Sequence, residues 1–372
     1  MTDPGGRPAR RSASLPAGFG LNGCMTRSPR MRDDGEFALI ARLAELLRGG
    51  RGGSGSAAAV GIGDDAAVTI AGGPTATSVD AFVEGVHFRR ETASASAIGA
   101  KALAAALSDL AAMGATPGEA YVAVGIPESM GEDECVELYS GLSRVADETG
   151  AAVVGGDVTR AAELFLVVTV VGRPGGGAAF VGRDGAGVGE TVVVTGELGG
   201  AAAGLLLLER EDLVGAVDAD TAAALRLRQL EPTARLSSGA ALAATGATAM
   251  IDVSDGVGAD AAQLAAASGI GVEIELERLP LQAGVAAVAE AAGLDRYELA
   301  LGGGEDYELL AVLPASRVDE AVRVTSTAGA PLTPVGLTAA ERGVRIQAPD
   351  GPRRPPPGFD HLRRRPAHGG PG

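Results

Sequence analysis

Short apolar segments alternate with longer stretches of helical periodicity along most of this chain. The segments of the first kind are short and rich in Val, Ile and Leu, which is typical of buried strands. The pattern predicts strands over 58–62, 77–80, 120–125, 152–155, 164–171, 191–195, 248–253, 271–276, 308–313 and 343–347. It predicts helices over 36–48, 94–113, 132–149, 199–209, 219–229, 233–245 and 258–268. We therefore expect an α/β (α+β) fold.

The order of these elements indicates two domains. Strands and helices do not alternate one for one, so a doubly wound parallel sheet is not expected. A turn-rich stretch over 172–190 separates two series of elements, which predicts domains over 35–185 and 186–348. Residues 1–34 are rich in Arg, Gly, Pro and Ser and predict a disordered leader. The tail over 349–372 is predicted to be mostly disordered, apart from a GFDHL segment.

Composition limits the classes of partner. The chain is 46% hydrophobic but 3% aromatic, so its core must be aliphatic. A net charge of −16 argues against nucleic acid and against anionic membranes. No uninterrupted apolar run approaches the ~18 residues of a membrane span. Cys24 and Cys135 form no CxxC pair, which favours a reducing cytoplasm.

Lys101 is the only lysine in the chain, and it does not follow a glycine loop of the Walker A type. A Walker A site needs a lysine at its Gly-Lys-Ser/Thr end to reach the nucleotide phosphates. Any nucleotide chemistry in this protein must therefore use another scaffold.

Six short acidic motifs, each flanked by glycine or serine, carry the strongest chemical signal. They are GIGDDAAV (61–68), SVDAFVEGVHF (78–88), ALSDLAAMGA (106–115), VVGGDVTR (153–160), MIDVSDGV (250–257) and LGGGEDYELL (301–310). Glycine lets the backbone approach a phosphate closely, and aspartate suits a hard cation bound to phosphate oxygens. Together the motifs predict carboxylates gathered around one highly charged ligand.

Each motif also has a simpler explanation when taken alone. The first could be an Asx turn, Asp255 a helix N-cap and His87 a hydrogen-bonded surface histidine. Asp109 falls about 40° from Met113 on a helical wheel, beside the apolar stripe. A carboxylate there is costly unless it is paired with an arginine or bound to a metal. No second His or Cys lies at zinc-ligand spacing from His87, so zinc is not expected.

In this order the motifs resemble those of the thiamine-monophosphate kinases. That family belongs to a superfamily with aminoimidazole ribonucleotide synthetase, selenophosphate synthetase and a hydrogenase-maturation dehydratase. The resemblance runs from GEFALIARL (35–43) to GFDHL (358–362) and rests on VEGVHF, SDLAAMGA, GGDVTR, IDVSDG and GGEDYEL. It implies transfer of the γ-phosphoryl group of ATP, the co-substrate, to thiamine monophosphate with the help of several Mg²⁺ ions.

The resemblance also implies roles for individual residues. Mg²⁺ ligands are expected at Asp65, Ser78, Val79, Asp80, Asp109, Asp157, Asp252 and Asp255, of which Asp65, Asp109, Asp157 and Asp255 would be the catalytic ones. ATP contacts are expected from Gly156, Arg183, Ser254 and Tyr139, and thiamine monophosphate contacts from His87, Glu305 and Phe359. Val79 occupies a position where the family often has threonine. Because valine has no side-chain oxygen, position 79 could bind Mg²⁺ only through its backbone carbonyl.

For the fold, the resemblance implies an aminoimidazole ribonucleotide synthetase-like arrangement of two domains. The N-terminal domains of two chains would form a dimeric β-barrel, and a C-terminal α/β layer domain would close over the site. The expected protein is a cytoplasmic homodimer.

Two other hypotheses remain open at this point. A sister enzyme of the superfamily would need a cysteine that this chain does not provide: Cys24 precedes the first domain, and the tail ends in Gly-Gly-Pro-Gly. A non-catalytic binder of thiamine phosphate or nucleotide would be expected to have lost acidic ligands, and none is missing.

Overall fold

The computed structural model of the chain describes residues 72–175, 179–356 and 358, strand residues 58–60 and 68–69, and helical residues 39, 42–43 and 45–47. The last group lies in the helix predicted over 36–48, where Leu39 and Leu43 are buried. Asp65, with the rest of the DD turn, and Phe359 lie outside the described residues.

The N-terminal half contains a two-stranded ladder and a four-stranded sheet. Strands β1 (Ala58–Val60) and β2 (Val68–Thr69) pair antiparallel. The larger sheet has the order β3-β6-β4-β5, formed by β3 (Ala76–Val83), β4 (Ala115–Ile126), β5 (Ala152–Arg160) and β6 (Phe165–Pro174). Only β4 and β5 run parallel within it. Helices α1 (Ala95–Ala112) and α2 (Glu132–Thr149) pack on one face.

Small residues allow α1 and α2 to pack closely. A side chain at Gly99 would place its Cβ 2.0 Å from the carbonyl oxygen of Leu138, and one at Gly141 would lie 1.9 Å from that of Ser96. Ser94 caps α1 by accepting a hydrogen bond of 3.2 Å from the backbone N–H of Ala97. Within the described residues, α1 is the one helix long and apolar enough to cross a membrane, but 83% of it is buried inside the protein. It is therefore the core helix of this half.

The C-terminal half is built on a seven-stranded sheet with the order β13-β12-β9-β11-β7-β10-β8. Its strands are β7 (Thr191–Thr195), β8 (Ala249–Asp252), β9 (Gly271–Glu275), β10 (Leu309–Leu313), β11 (Leu332–Ala339), β12 (Gly343–Ala348) and β13 (Gly351–Arg353). Its helices are α3 (Gly200–Glu209), α4 (Ala219–Leu230), α5 (Leu236–Thr245), α6 (Val257–Ser268), α7 (Val285–Ala292), α8 (Glu298–Gly302) and α9 (Val318–Thr327). Short 3₁₀ turns lie at Glu211–Ala216, Leu276–Arg278 and Ala315–Arg317. The mixed strand directions confirm the α/β fold class.

The C-terminal end of α1 joins the two halves. Ala111 and Ala112 belong to the same buried cluster as Val193 of β7 and Met250 of β8. Gly239 of α5 packs closely against Ala111. A Cβ at position 239 would lie 2.0 Å from the carbonyl oxygen of Ala111. This packing brings the polar residues of α1 to the junction between the two sheets.

Candidate active site

A cavity of about 930 Å³ lies at this junction. Its lining comes from β3 and the turn after it, α1, α3, α4, the turn after β8, α8 and the loop before β10. Seven of the residues singled out by sequence line it: Asp80, His87, Asp109, Asp252, Ser254, Asp255 and Glu305. Motifs as much as 225 positions apart, from Asp80 to Glu305, thus meet around one space.

The carboxylates of the cavity repel one another. Burial and the charge of Asp109 raise the pKa of Asp80 to about 6. Burial, and then Asp109, raise the pKa of Asp252 to about 7, against the opposing hydrogen bond from Ser108. A site that gathers carboxylates in this way favours a bound cation, which would relieve the repulsion.

Strand alternation explains which β3 residues face this site. Ser78 and Asp80 lie on the face that carries buried Phe82, and Ser78 donates a hydrogen bond to Asp109 of α1. Val79 lies on the opposite face, and 60% of its surface is exposed. Its side chain therefore points away from Asp80, and only its backbone carbonyl remains a candidate ligand.

An acid that the motifs did not single out lies beside the turn after β8. Asp260 of α6 is buried and accepts a hydrogen bond of 3.1 Å from the backbone N–H of Asp255. Burial and the nearby charges of Asp252 and Asp255 raise the pKa of Asp260 to about 8. Arg183 opposes these shifts at both Asp252 and Asp260, so its guanidinium lies close to this turn. The sequence signal was one more aspartate in the first turn of a predicted helix.

Glu305 is held from two sides. The ammonium nitrogen of Lys101 lies 2.7 Å from its Oε1, and the amide nitrogen of Gln229 donates a 2.6 Å hydrogen bond to its Oε2. The backbone of Glu305 has φ 71° and that of Tyr307 has φ 50°. Non-glycine residues rarely adopt this left-handed conformation, which typically persists only where surrounding contacts enforce it.

Those surrounding contacts are buried charges. Asp306 accepts hydrogen bonds of 2.6 and 3.1 Å from the backbone N–H groups of Gly199 and Ala201, at the start of α3. Glu308 is fully buried between Arg228 and Arg235, and Arg235 reaches it with two nitrogens at 2.6 and 2.7 Å. Segment 305–308 is therefore fixed along its whole length.

The imidazole of His87 has a defined tautomer. The backbone N–H of Val83 donates a 3.1 Å hydrogen bond to Nδ1 of His87, and the ring packs against Phe82. An accepting Nδ1 leaves Nε2 as the protonated nitrogen of a neutral imidazole. His87 can therefore act as a hydrogen-bond donor toward an anionic ligand.

Six of the predicted residues that the structure describes are absent from the cavity lining: Ser78, Val79, Tyr139, Gly156, Asp157 and Arg183. Asp157 is exposed on β5, Gly156 precedes it with φ 154°, and Tyr139 is buried in α2. A Cβ at Gly156 would lie 2.0 Å from the carbonyl oxygen of Val122, so this position requires glycine. Burial raises the pKa of the Tyr139 hydroxyl, with smaller contributions from Cys135 and Asp157. Near the C-terminus, Gly358 lines the cavity directly before Phe359.

The donor set fits Mg²⁺, although it does not form a closed cage. Across the part of the chain that the structure describes, no three acidic, His or Cys side chains converge into a ready-made metal site. Mg²⁺ usually takes one or two protein carboxylates and completes its octahedron with water and substrate phosphates. Asp80, Asp109, Asp252 and Asp255 supply oxygens of that kind around one space.

Comparison with known proteins agrees with this architecture. The family model "AIR synthase related protein, N-terminal domain" matches residues 63–173, and "AIR synthase related protein, C-terminal domain" matches residues 187–349. The chain therefore belongs to the AIR synthase related family.

Within that family, the chain is similar to thiamine-monophosphate kinases at 32–38% identity, which confirms the resemblance drawn from the motifs. The Mycobacterium tuberculosis enzyme is 38% identical over 77% of this chain and 83% of its own. The crystal structure of the Stenotrophomonas maltophilia enzyme has a TM-score of 0.73 and 36% identity, over 84% of this chain and 96% of its own. The structure of AaThiL complexed with AMPPCP and TMP has a TM-score of 0.69 and 32% identity, over 91% of this chain and 100% of its own.

Proposed function

We propose that this protein transfers the γ-phosphoryl group of ATP to the phosphate of thiamine monophosphate, producing thiamine diphosphate and ADP. The observation that carries the proposal is the cavity, in which Asp80, Asp109, Asp252 and Asp255 come together with His87 and Glu305. A relative with 32% identity, AaThiL, has been solved in complex with AMPPCP and TMP. The family and the cavity point to the same reaction.

The acceptor explains why the cavity has no need of a strong base. A phosphate monoester is largely dianionic at neutral pH because its second pKa is about 6. One of its oxygens attacks the γ-phosphorus, and the bond from that phosphorus to the β–γ bridging oxygen breaks as ADP leaves. No proton has to be removed from the nucleophile. The protein's task is to hold two polyanions in line and to stabilise their charge.

We assign Mg²⁺ binding to Asp80, Asp109, Asp252 and Asp255, with Asp65, Asp157 and the Val79 carbonyl as further ligands. When bound, Mg²⁺ neutralises and orients the phosphates. Ser78 and Ser108 hold the Asp109 and Asp252 carboxylates in place through hydrogen bonds. These bonds fix the direction in which each carboxylate presents its remaining lone pairs.

We place the two substrates in different regions of the site. Nε2–H of His87 would donate to the phosphate of thiamine monophosphate, and the Glu305 carboxylate would face the cationic thiazolium. Phe359 follows the cavity-lining Gly358, which supports its role beside the thiamine rings. Arg183, Ser254, Gly156 and Tyr139 are the proposed ATP contacts, and the electrostatic influence of Arg183 on Asp252 supports its place near the phosphates.

We further propose a cytoplasmic homodimer with domains over 35–185 and 186–348. The described four-stranded sheet is open, with α1 and α2 on one face and the exposed Val79 on the other. A second copy packed against the Val79 face would complete a β-barrel. Asp157, also exposed on this sheet, would then lie near the interface.

A direct assay tests the proposed function. Purified protein is incubated with ATP and thiamine monophosphate, with and without MgCl₂, and thiamine diphosphate is measured by chromatography. We expect product only with Mg²⁺, and none when unphosphorylated thiamine replaces thiamine monophosphate. Absence of thiamine diphosphate under all conditions would overturn the proposal.

A further inference from the structure

Lys101 is a buried cation next to the site and has no direct part in the proposed reaction. It is the only lysine in the chain, and 4% of its surface is exposed. We propose that Lys101 is a positioning residue which, together with Gln229, holds the Glu305 carboxylate toward the rings of thiamine monophosphate. This inference rests on the proposed function and adds a specificity element to it.

The burial of Lys101 requires a reason. Removing an ammonium group from water costs several kcal/mol unless a well-placed counter-charge offsets the loss. Glu305 supplies that counter-charge at 2.7 Å, and its side chain keeps 26% of its surface exposed. The pair therefore has a buried basic end and an acidic end that reaches the cavity.

The position of Lys101 shows that it acts through Glu305. Glu305 and Gln229 line the 930 Å³ cavity, whereas Lys101 lines an adjoining pocket of about 90 Å³ that shares both of these residues. Lys101 thus stands behind Glu305 as seen from the cavity. A ligand in the main cavity would meet the carboxylate and not the ammonium.

The carboxylate of Glu305 is oriented by two donors from different halves of the protein. Lys101 of α1 forms an ion pair with Oε1 of Glu305. The amide nitrogen of Gln229, on α4, donates a hydrogen bond to Oε2 of Glu305. The assignment of the Gln229 amide is fixed, because an ionised carboxylate only accepts hydrogen bonds. Each carboxylate oxygen accepts more than one hydrogen bond, so lone pairs remain for a ligand.

Helix α1 connects the two ends of the site. Lys101, Ala105 and Asp109 follow one another at intervals of four and so lie on one helix face. Lys101 and Asp109 are separated by about 12 Å along the helix axis. Asp109 belongs to the phosphate end, so loss of Lys101 should affect the ring end of thiamine monophosphate and leave ATP binding unchanged.

The competing explanation is that the ion pair only fastens α1 to the C-terminal half. Steady-state kinetics of Lys101→Met separate the two explanations, because methionine keeps the length of the stem and removes the charge. We expect the KM for thiamine monophosphate to rise at least tenfold, with the KM for ATP within twofold of wild type. K101R should recover part of the loss. R226M, which removes a half-buried arginine of α4 that lies outside the cavity, is the matched control and should leave both constants unchanged.

A double variant tests whether Lys101 acts through Glu305. In an E305Q background, K101M should change the KM for thiamine monophosphate less than twofold. A full tenfold effect in that background, or equal rises in both KM values in the single variant, would overturn the proposal. If K101M does not fold, Q229M replaces it, because this variant removes the hydrogen bond that Gln229 donates to the other oxygen of the Glu305 carboxylate. An unchanged KM for thiamine monophosphate in Q229M would count against the proposal.

The binding of thiamine monophosphate, measured by calorimetry on the wild type and K101M, keeps this test independent of turnover. Wild-type protein that binds thiamine monophosphate but makes no thiamine diphosphate would contradict the proposed function alone. Wild-type protein that turns over normally while K101M binds thiamine monophosphate with unchanged affinity would contradict the role of Lys101 alone.

Discussion

Ser108 of α1 donates a hydrogen bond of 2.9 Å to Asp252 at the end of β8, and both side chains are buried. The bond joins the helix of one sheet to a strand of the other. It also opposes the burial and the Asp109 charge that raise the pKa of Asp252 to about 7. One contact between the halves therefore influences the charge of the cavity.

We predict that Ser108→Ala shifts the pH dependence of activity. The serine hydroxyl stabilises the Asp252 carboxylate, so its removal raises the pKa of Asp252 further. The acidic limb of the kcat/KM profile should move to higher pH, with the largest loss at the acidic end. S140A, which removes an exposed hydroxyl bound to the carbonyl of Glu137, is the control. Superimposable profiles for S108A and the wild type would contradict this role of Ser108.

Asp109→Asn should lose activity without loss of fold. We expect kcat to fall roughly 10²–10³-fold, the range seen when a group that stabilises transition-state charge is removed. The asparagine oxygen can still accept the hydrogen bond from Ser78, so the local structure should persist. Thermal unfolding should show no decrease in stability, because the charge that raises the pKa of Asp80 and Asp252 is gone. D319N, at an exposed acid of α9, should keep wild-type turnover.

Without Mg²⁺, the protein should become less stable as pH rises through the neutral range. The pKa values of Asp80, Asp252 and Asp260 rise from 3.8 to about 6, 7 and 8. The folded state then holds more protons than the unfolded state, so the stability these groups contribute is complete below about pH 4 and is lost up to about pH 8. Acids with lowered pKa values, such as Glu134, are ionised in both states above about pH 5 and do not reverse this trend.

The measurement is the unfolding midpoint as a function of pH, with and without Mg²⁺. We expect Mg²⁺ to raise the midpoint more at the alkaline end of this window than at its acidic end. Asp260→Asn should flatten the metal-free curve, because an amide mimics the protonated acid and can still accept from Asp255 N–H. A midpoint that climbs steadily over this range without metal would contradict the assignment.

Glu308→Gln should weaken the whole protein. The substitution leaves Arg228 and Arg235 beside a neutral, fully buried partner, and breaking a buried ion pair typically costs about 3–5 kcal/mol. Urea unfolding gives this free energy. D212N removes the solvent-exposed Arg210–Asp212 ion pair and should produce no measurable change. If the two variants unfold alike, segment 305–308 is not anchored by Glu308.

Elements with a strong local pattern could be predicted closely from the sequence. The helix predicted over 94–113 is Ala95–Ala112, and the strand predicted over 191–195 is Thr191–Thr195. Strand β4 begins five residues before its predicted start, because Thr116-Pro117-Gly118 resembles a turn and is accommodated by an irregular register. Strand β11 was not predicted, because Pro334 and Gly336 interrupt the apolar pattern of a strand. In the structure, hydrogen bonding to β7 on one side and to β9 on the other holds this segment as a strand despite the two residues.

In the site, as in the fold, features with a local sequence signal could be predicted and features that depend on tertiary contacts could not. The motifs singled out Asp80, Asp109, Asp252 and Glu305, which line one cavity in the structure, and helical spacing alone placed Asp109 beside the apolar face. The ion pair between Lys101 and Glu305 was not predicted, because it joins residues 204 positions apart and depends on how α1 meets the C-terminal half. Asp260 was not predicted as a site residue for a different reason: only its burial, together with the nearby charges of Asp252 and Asp255, raises its pKa.

The most direct test follows the phosphoryl group itself. ATP labelled at the γ-phosphate is mixed with thiamine monophosphate and Mg²⁺, and the label is traced in wild type and D109N. The account predicts label in thiamine diphosphate for the wild type, in step with ADP formation, and almost none for D109N. Label found only in inorganic phosphate, or equal transfer by D109N, would contradict the account.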